Sequence, residues 1–321
     1  MQVFWRGDES LSQRGHFSFG MGLSFGGESA YKPGENGGLV KVIVTGAGGM
    51  LGRDFCSILA DAGHEVVALD RAALDVTSEE AVSAAVPESD WIVNLAAYTR
   101  VDDAESDRDG AEAVNVEGPR NLAGRASVTG ARLLHISTDY VFDGAGDRAL
   151  VEDDVTRPLS VYGATKLEGE KAVQAVCPDA LIVRTQSLFG QHGPNFVATM
   201  LRLMGDATEP LRVVDDQFSA PTWTRHLASA LLALMDARAS GVVHVAASGS
   251  CSWCDFARAI AAEIGSEVEI TAVPTSSFPR PARRPAFGVL DSSRYTALVG
   301  AAMPSWEEGL RGYLAESGVI S

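Results

Sequence analysis

The sequence predicts an α/β fold, a doubly wound parallel sheet followed by a smaller C-terminal mixed α/β region, and two observations carry that expectation. Short β-branched runs alternate with helix-length segments from residue 40 onward, and a cluster of glycines separates the first run from the first helical pattern. Val40-Lys41-Val42-Ile43-Val44 reads as a buried strand, Gly46 to Gly52 as a turn, and residues 50–62 as the helix that follows. A second strand at 65–69 ends on Asp70. Further strands are expected at 91–95, 132–137 and 181–184, separated by helices at 78–85, 109–128 and 160–176. Such alternation implies helices on both faces of a parallel sheet. Beyond residue 185 the pattern is mixed, with helices near 195–204, 224–236, 253–264 and 305–315. The chain therefore divides at about residue 185, with some later segments returning to the first domain.

Residues 1–39 stand apart. They are rich in Gly and Ser, contain Pro33-Gly34 and Gly37-Gly38, and follow neither a helical nor a strand period. They read as a disordered extension, or as upstream sequence included by too early a start codon. Asp8, Glu9, Glu28 and Glu35 argue against an organellar presequence.

Acidic residues outnumber basic ones 42 to 26, giving a net charge of −16, so a nucleic-acid partner is not expected. No apolar run approaches the roughly 20 residues of a membrane helix, so no membrane partner is expected either. Cys56, Cys177, Cys251 and Cys254 are too few and too scattered for a disulfide framework. They suit a reducing, cytoplasmic setting. Cys251-Ser252-Trp253-Cys254 has redox-motif spacing, but no second Cys pair completes a zinc site, and it reads as the start of a helix.

The glycines at 46, 49 and 52 follow a G-x-x-G-x-x-G spacing, with Gly48 filling the commoner G-x-G slot. Gly permits a tight turn, and the lack of Cβ lets backbone N–H groups approach a pyrophosphate at a helix N-terminus. Between a strand and a helix, this is the dinucleotide cradle of a Rossmann-type sheet, with Met50 and Leu51 opening the helix. Asp70 could accept from the adenosine ribose diol, as NADH requires, whereas Arg71 could hold the 2′-phosphate of NADPH. The two signals conflict, with NADPH slightly favoured. Leu74-Asp75-Val76 resembles the loop that contacts adenine in dehydrogenases of this kind, although Asp75 also suits a cap or turn.

Tyr162 and Lys166 stand at i and i+4 of a predicted helix and so share a face. With 6 Tyr and four Lys in the chain, fewer than about 0.1 such pairs are expected by chance. A phenol exchanges protons poorly at neutrality, and a nearby ammonium, helped by oxidised nicotinamide, would favour its phenolate. Tyr162 could then protonate a carbonyl oxygen as hydride arrives. The strand end at Thr138, with Ser137 as the neighbouring alternative, would supply a third group donating to the same oxygen.

These residues lie within longer blocks: Val93-Asn94-Leu95-Ala96-Ala97-Tyr98-Thr99 with Val101-Asp102, Ser137 to Gly144, Val161 to Lys171, Asn195-Phe196-Val197, Asp216 to Thr222, and Pro281-Ala282-Arg283-Arg284-Pro285. In that order they resemble the dTDP-4-dehydrorhamnose reductase family of extended short-chain dehydrogenases, from about Val40 to the C-terminus. The resemblance implies an NAD(P)H-dependent oxidoreductase that reduces the C4 ketone of a dTDP-linked 6-deoxy-4-keto hexose, with Thr138, Tyr162 and Lys166 catalytic. It implies that residues 40–185 bind the cofactor, with Ala96, Ala97 and Thr99 lining it, and that 186–321 mainly bind substrate. Val101, Asp102, Thr138, Asp139, Tyr140, Asn195, Gln217, Arg283 and Arg284 would face the nucleotide sugar, the two arginines as a fork for pyrophosphate. Mg²⁺ dependence is implied by the resemblance alone, no metal site is read from the residues, and a homodimer is one form the protein could take. Ser187 stands where many members carry an aromatic residue that stacks on the sugar, which bears on the exact hexulose. Asp139 is followed by Tyr140, so the second carboxylate of the related dehydratases is missing. C4 epimerisation, and a non-catalytic subunit resembling the beta subunit of methionine adenosyltransferase, are the alternatives that the Tyr–Lys pair does not separate.

Overall fold

The β-branched and apolar runs form one six-stranded sheet in the computed structural model, which describes residues 38–320. The expected extension at 1–39 lies outside the described residues except for Gly38 and Leu39. The strands are β1 (Lys41–Thr45), β2 (Glu65–Leu69), β3 (Trp91–Asn94), β4 (Arg132–Thr138), β5 (Leu181–Thr185) and a late strand, Gly241–His244, which becomes β10 in chain order. Their spatial order is β10-β5-β4-β3-β1-β2, and every pairing is parallel. Strand order reverses between β1 and β3. In a sheet of this type, the crevice beyond the carboxyl ends of those two strands is where ligands bind.

Helices cover both faces. Helix α1 (Met50–Asp61) buries Leu51, Phe55 and Leu59, four residues apart, against α7 (Thr224–Asp236). The other face carries α2 (Glu79–Ala85), α3 (Arg108–Glu112), α4 (Gly118–Thr129) and α5 (Val161–Val176). A second core gathers Phe189, Trp223, Phe256, Trp306 and Leu310. It is built from β6 (Leu188–Phe189), α6 (Phe196–Gly205), β7 (Leu211–Val214), β8 (Phe218–Ser219), β9 (Thr222–Trp223), β11 (Cys251–Ser252), α8 (Trp253–Glu263), β12 (Ile270–Val273) and α10 (Trp306–Glu316). Helix α9 (Ser293–Val299) packs back on α7 and β10.

The single helix expected at 109–128 is divided. Helix α3 passes into a π-helical turn over Ala113–Glu117 before α4 begins. Pro119 has no N–H to give to the Asn115 carbonyl four residues back, so the regular ladder fails at that point. Strand β10 was not expected from the sequence at all. Cys251 and Cys254 are buried free thiols, and burial pushes both up, away from reactive thiolate. Between them Ser252 forms a capping box with Asp255, as a helix start requires.

Candidate active site

The carboxyl ends of β1 and β3 meet at Gly46, and nothing larger fits there. A Cβ at Gly46 would lie 2.6 Å from the Ala96 amide nitrogen, and one at Gly52 would lie 2.4 Å from the Gly46 carbonyl oxygen. Gly46 also has φ +69°, a conformation that side chains disfavour. Gly48 and Gly49 are exposed, and Gly49 starts α1 with no side-chain cap on the helix N–H groups. A tight glycine turn leading into uncapped N–H groups fits a dinucleotide pyrophosphate. Met50 is half-buried and Leu51 is buried at the head of that helix.

Asp70 stands beside this turn, its Cβ 3.3 Å from the position a Cβ on Gly48 would take. Its Oδ1 accepts from the Ala72 and Ala73 amides, which fixes the carboxylate. Arg71 is exposed. Asp75 is held low by hydrogen bonds from the Thr77 hydroxyl and amide, and by the Arg71 charge. It closes its own turn, while Val76 is buried against Gly118. Ala96 and Ala97 are half-buried and Thr99 exposed in the loop after β3.

That loop is tied down by a residue the sequence reading passed over. In the π-helical turn, Asn115 accepts from the Tyr98 amide (2.8 Å) and donates to the Tyr98 carbonyl (3.2 Å) and the Thr165 hydroxyl (3.1 Å). Its amide thus joins the cofactor-side loop to α5. Beneath it, Asn94 accepts from Thr45 and Ala96 and faces His135 at 3.0 Å. Burial, reinforced by the charge of Lys166, keeps His135 well below the usual imidazole range. Neither Asn94 nor His135 was singled out from sequence, because each looks like an ordinary polar strand residue.

The catalytic candidates converge at the end of β4 and the start of α5. Ser160 caps α5 through the Gly163 amide, and Gly163 lets the helix approach the Tyr140 carbonyl, which a Cβ would meet at 2.2 Å. Tyr162 is half-buried, and its ring stands edge-on to Tyr140 at 5.5 Å. Burial raises the Tyr162 phenol, a hydrogen bond with Thr138 pulls it back, and the neighbouring Asp139 and Tyr140 push it up further. Lys166 is fully buried and donates to the Ile136 carbonyl at 2.6 Å. Burial brings its ammonium down to about 8, against the opposing pull of Glu170. Desolvation thus dominates at Tyr162, while the Lys166 ammonium is engaged with the β4 carbonyl.

Among the residues expected to face the nucleotide sugar, Thr138 donates to Asp139 at 3.1 Å, and burial lifts the Asp139 carboxyl to about 7. Burial likewise pushes the Tyr140 phenol up to about 12. Asp102 receives Arg284 through two N–H groups (3.1 and 2.9 Å) and Arg280 through a third (3.1 Å). Burial pushes the Asp102 carboxyl up, and these arginines with the Ala282 amide outweigh it, so it lies below the usual range. The guanidinium pair at this position is thus Arg280 with Arg284, whereas Arg283 is exposed. Val101 is half-buried beside Asp102. Asn195 is buried, and its amide is occupied with Gly190, Gly193 and the Ala198 N–H at the start of α6. Gln217 donates to Thr275. Ser187 has φ +46° and donates to Ser219 at 2.9 Å. Among the described residues, no three His, Cys, Asp or Glu side chains gather to hold a metal ion. None of the described helices is long and apolar enough to cross a membrane.

The parallel sheet, its switch point and the glycine turn define a Rossmann-fold protein of the short-chain dehydrogenase type. The family model for the RmlD substrate binding domain matches residues 40–319. The chain is 43% identical over 281 residues to a dTDP-4-dehydrorhamnose reductase of Mycolicibacterium smegmatis, covering 86% of this chain and 85% of that one. The crystal structure of a dTDP-4-dehydrorhamnose reductase from Clostridium acetobutylicum superposes with a TM-score of 0.83 at 40% identity, covering 87% and 99%. One from Bacillus anthracis, in complex with NADP, does so with a TM-score of 0.82 at 36% identity, covering 87% and 99%. The chain belongs to the dTDP-4-dehydrorhamnose reductase family.

Proposed function

We propose that this protein reduces the C4 ketone of dTDP-4-dehydrorhamnose to give dTDP-L-rhamnose, using NADPH in preference to NADH. The observation that carries the reaction type is that Tyr162, hydrogen-bonded with Thr138, and Lys166 share one face of α5 against the end of β4. The family relationship supports the substrate. The NADP complex of the Bacillus anthracis relative, together with Arg71 in the turn after β2, supports the cofactor.

A bound nicotinamide cofactor supplies the hydride. The chain supplies the proton and the orientation. Tyr162 gives its phenolic proton to the ketone oxygen, which develops negative charge, and the Thr138 hydroxyl donates to the same atom. Lys166 lies one turn along the helix from Tyr162, and its charge favours the phenolate left behind. Arg284 and Arg280, oriented by Asp102, would bind the diphosphate, with planar guanidinium groups matched to phosphate oxygens. The half-buried setting limits water around the developing alkoxide.

Tyr162→Phe removes the proton donor and retains the ring. Turnover, followed as NADPH oxidation at about 340 nm with dTDP-4-dehydrorhamnose generated in place, should fall at least a hundredfold while NADPH binding persists. Near-normal turnover in that variant would falsify the assignment. Stoichiometric cofactor consumption also separates reduction from C4 epimerisation, which consumes none.

A further inference from the structure

Three consecutive residues at the end of β4 each engage a different turn of α5. Ile136 accepts from Lys166 at 2.6 Å, the Ser137 hydroxyl donates to Glu170 at 2.5 Å, and Thr138 pairs with Tyr162. Tyr162, Lys166 and Glu170 stand at i, i+4 and i+8, one face of the helix. Glu170 is 2% exposed, and its second tie is Arg184 on β5, through Nε at 2.9 Å and a terminal nitrogen at 2.7 Å. Arg184 is itself held by the Glu152 carbonyl at 3.3 Å and by the Phe142 ring, with its carbon 5.1 Å from the ring centre. It sits directly opposite Ser137 in the sheet.

We propose that Glu170 is a positioning residue for the reaction. Through Ser137 it fixes the strand end that presents Thr138 to Tyr162, and it places a carboxylate one helical turn from Lys166 on the same face. The proposal rests on the assignment of Thr138, Tyr162 and Lys166 given above. A carboxylate taken out of water needs its partners to be complete, and here a bidentate guanidinium and one hydroxyl supply them. The same carboxylate opposes the loss of charge that burial imposes on Lys166. Other titratable groups packed around this face are Tyr162 on α5, His135 on β4, Arg184 on β5, His244 on β10 at 3.5 Å from Arg184, and Asp139 and Tyr140 just beyond β4. Glu105 and Arg108 reach α5 only at the exposed Val161 amide and Glu168.

Two variants separate position from charge. Ser137→Ala removes the hydroxyl tie and leaves every charge in place. Its kcat should fall by about tenfold with the KM for NADPH unchanged, as expected for a lost hydrogen bond that orients the reacting groups. Glu170→Gln keeps a hydrogen-bonding side chain and removes the charge. The alkaline limb of its kcat/KM profile should move to lower pH by on the order of one unit. Wild-type kcat in Ser137→Ala overturns the positional role, and an unmoved alkaline limb in Glu170→Gln overturns the electrostatic one. If the Gln variant does not fold, Ser137→Ala decides alone. Tyr162→Phe, measured alongside, distinguishes the two levels. Activity in that variant removes the catalytic assignment itself, whereas its inactivity with both other variants normal removes only the role of Glu170.

Discussion

Asp139 shows how one buried side chain couples the site to pH. Its carboxyl stands at about 7 in the folded protein because burial disfavours the anion, against an unfolded value near 3.9. Between those values the native chain retains a proton that the unfolded chain has lost, so stability falls as pH rises through this window. The loss is complete above about pH 7. Asp139→Asn carries no such penalty. Its Tm relative to the native chain should therefore climb by several degrees between pH 4 and pH 8, as read by thermal melts across that range. A constant difference would mean that Asp139 ionises as freely folded as unfolded.

At the scale of elements, the glycine turn is the least forgiving joint. A methyl group on Gly52 would lie within 3 Å of the Gly46 and Ala47 backbone, where no flexible side chain can yield. Gly52→Ala should lower stability by about 1–3 kcal/mol in denaturant melts and weaken NADPH binding. Gly124→Ala, on an open face of α4, should do neither. Much of this layer was legible in the sequence. The strand at 65–69 and the helix at 224–236 coincide with β2 and α7, and the other expected elements, 109–128 apart, lie within a residue of the observed ends, whereas β6 to β12 and α9 were not expected. Tyr162 and Lys166 were legible because helical spacing alone puts them together. Asn115, Arg280 and Glu170 were not, since each acquires its meaning from a partner far along the chain: Tyr98, Asp102 and Ser137. The break at Ala113–Glu117 had a visible cause in Pro119, but proline near a helix start reads equally as an ordinary beginning.

Over the whole molecule, sequence order and spatial order part company. Strand β10 and helix α7 belong to the first sheet, yet they come after the chain has built β6, α6, β7, β8 and β9. A fragment ending at residue 185 would lack the helix that packs against α1, and would leave Leu51, Phe55 and Leu59 uncovered. Expressed alone, residues 38–185 should show no cooperative unfolding transition and should bind apolar dyes, whereas the full chain melts cooperatively. A sharp transition in the fragment would mean that the first domain stands without its late segments. The short run Gly241–His244 escaped notice because only Val242 and Val243 in it are apolar, too few to show a strand period.

That late strand sets a schedule on the ribosome. As the chain emerges, β5 offers an unpaired edge until Gly241–His244 arrives and lies parallel to it. Such an edge is a template for wrong partners, and parallel pairing across a long insertion is slow to find. The nascent protein is thus most exposed to misassembly midway through its synthesis, and holding factors that shield strand edges would matter to its yield more than to its final stability.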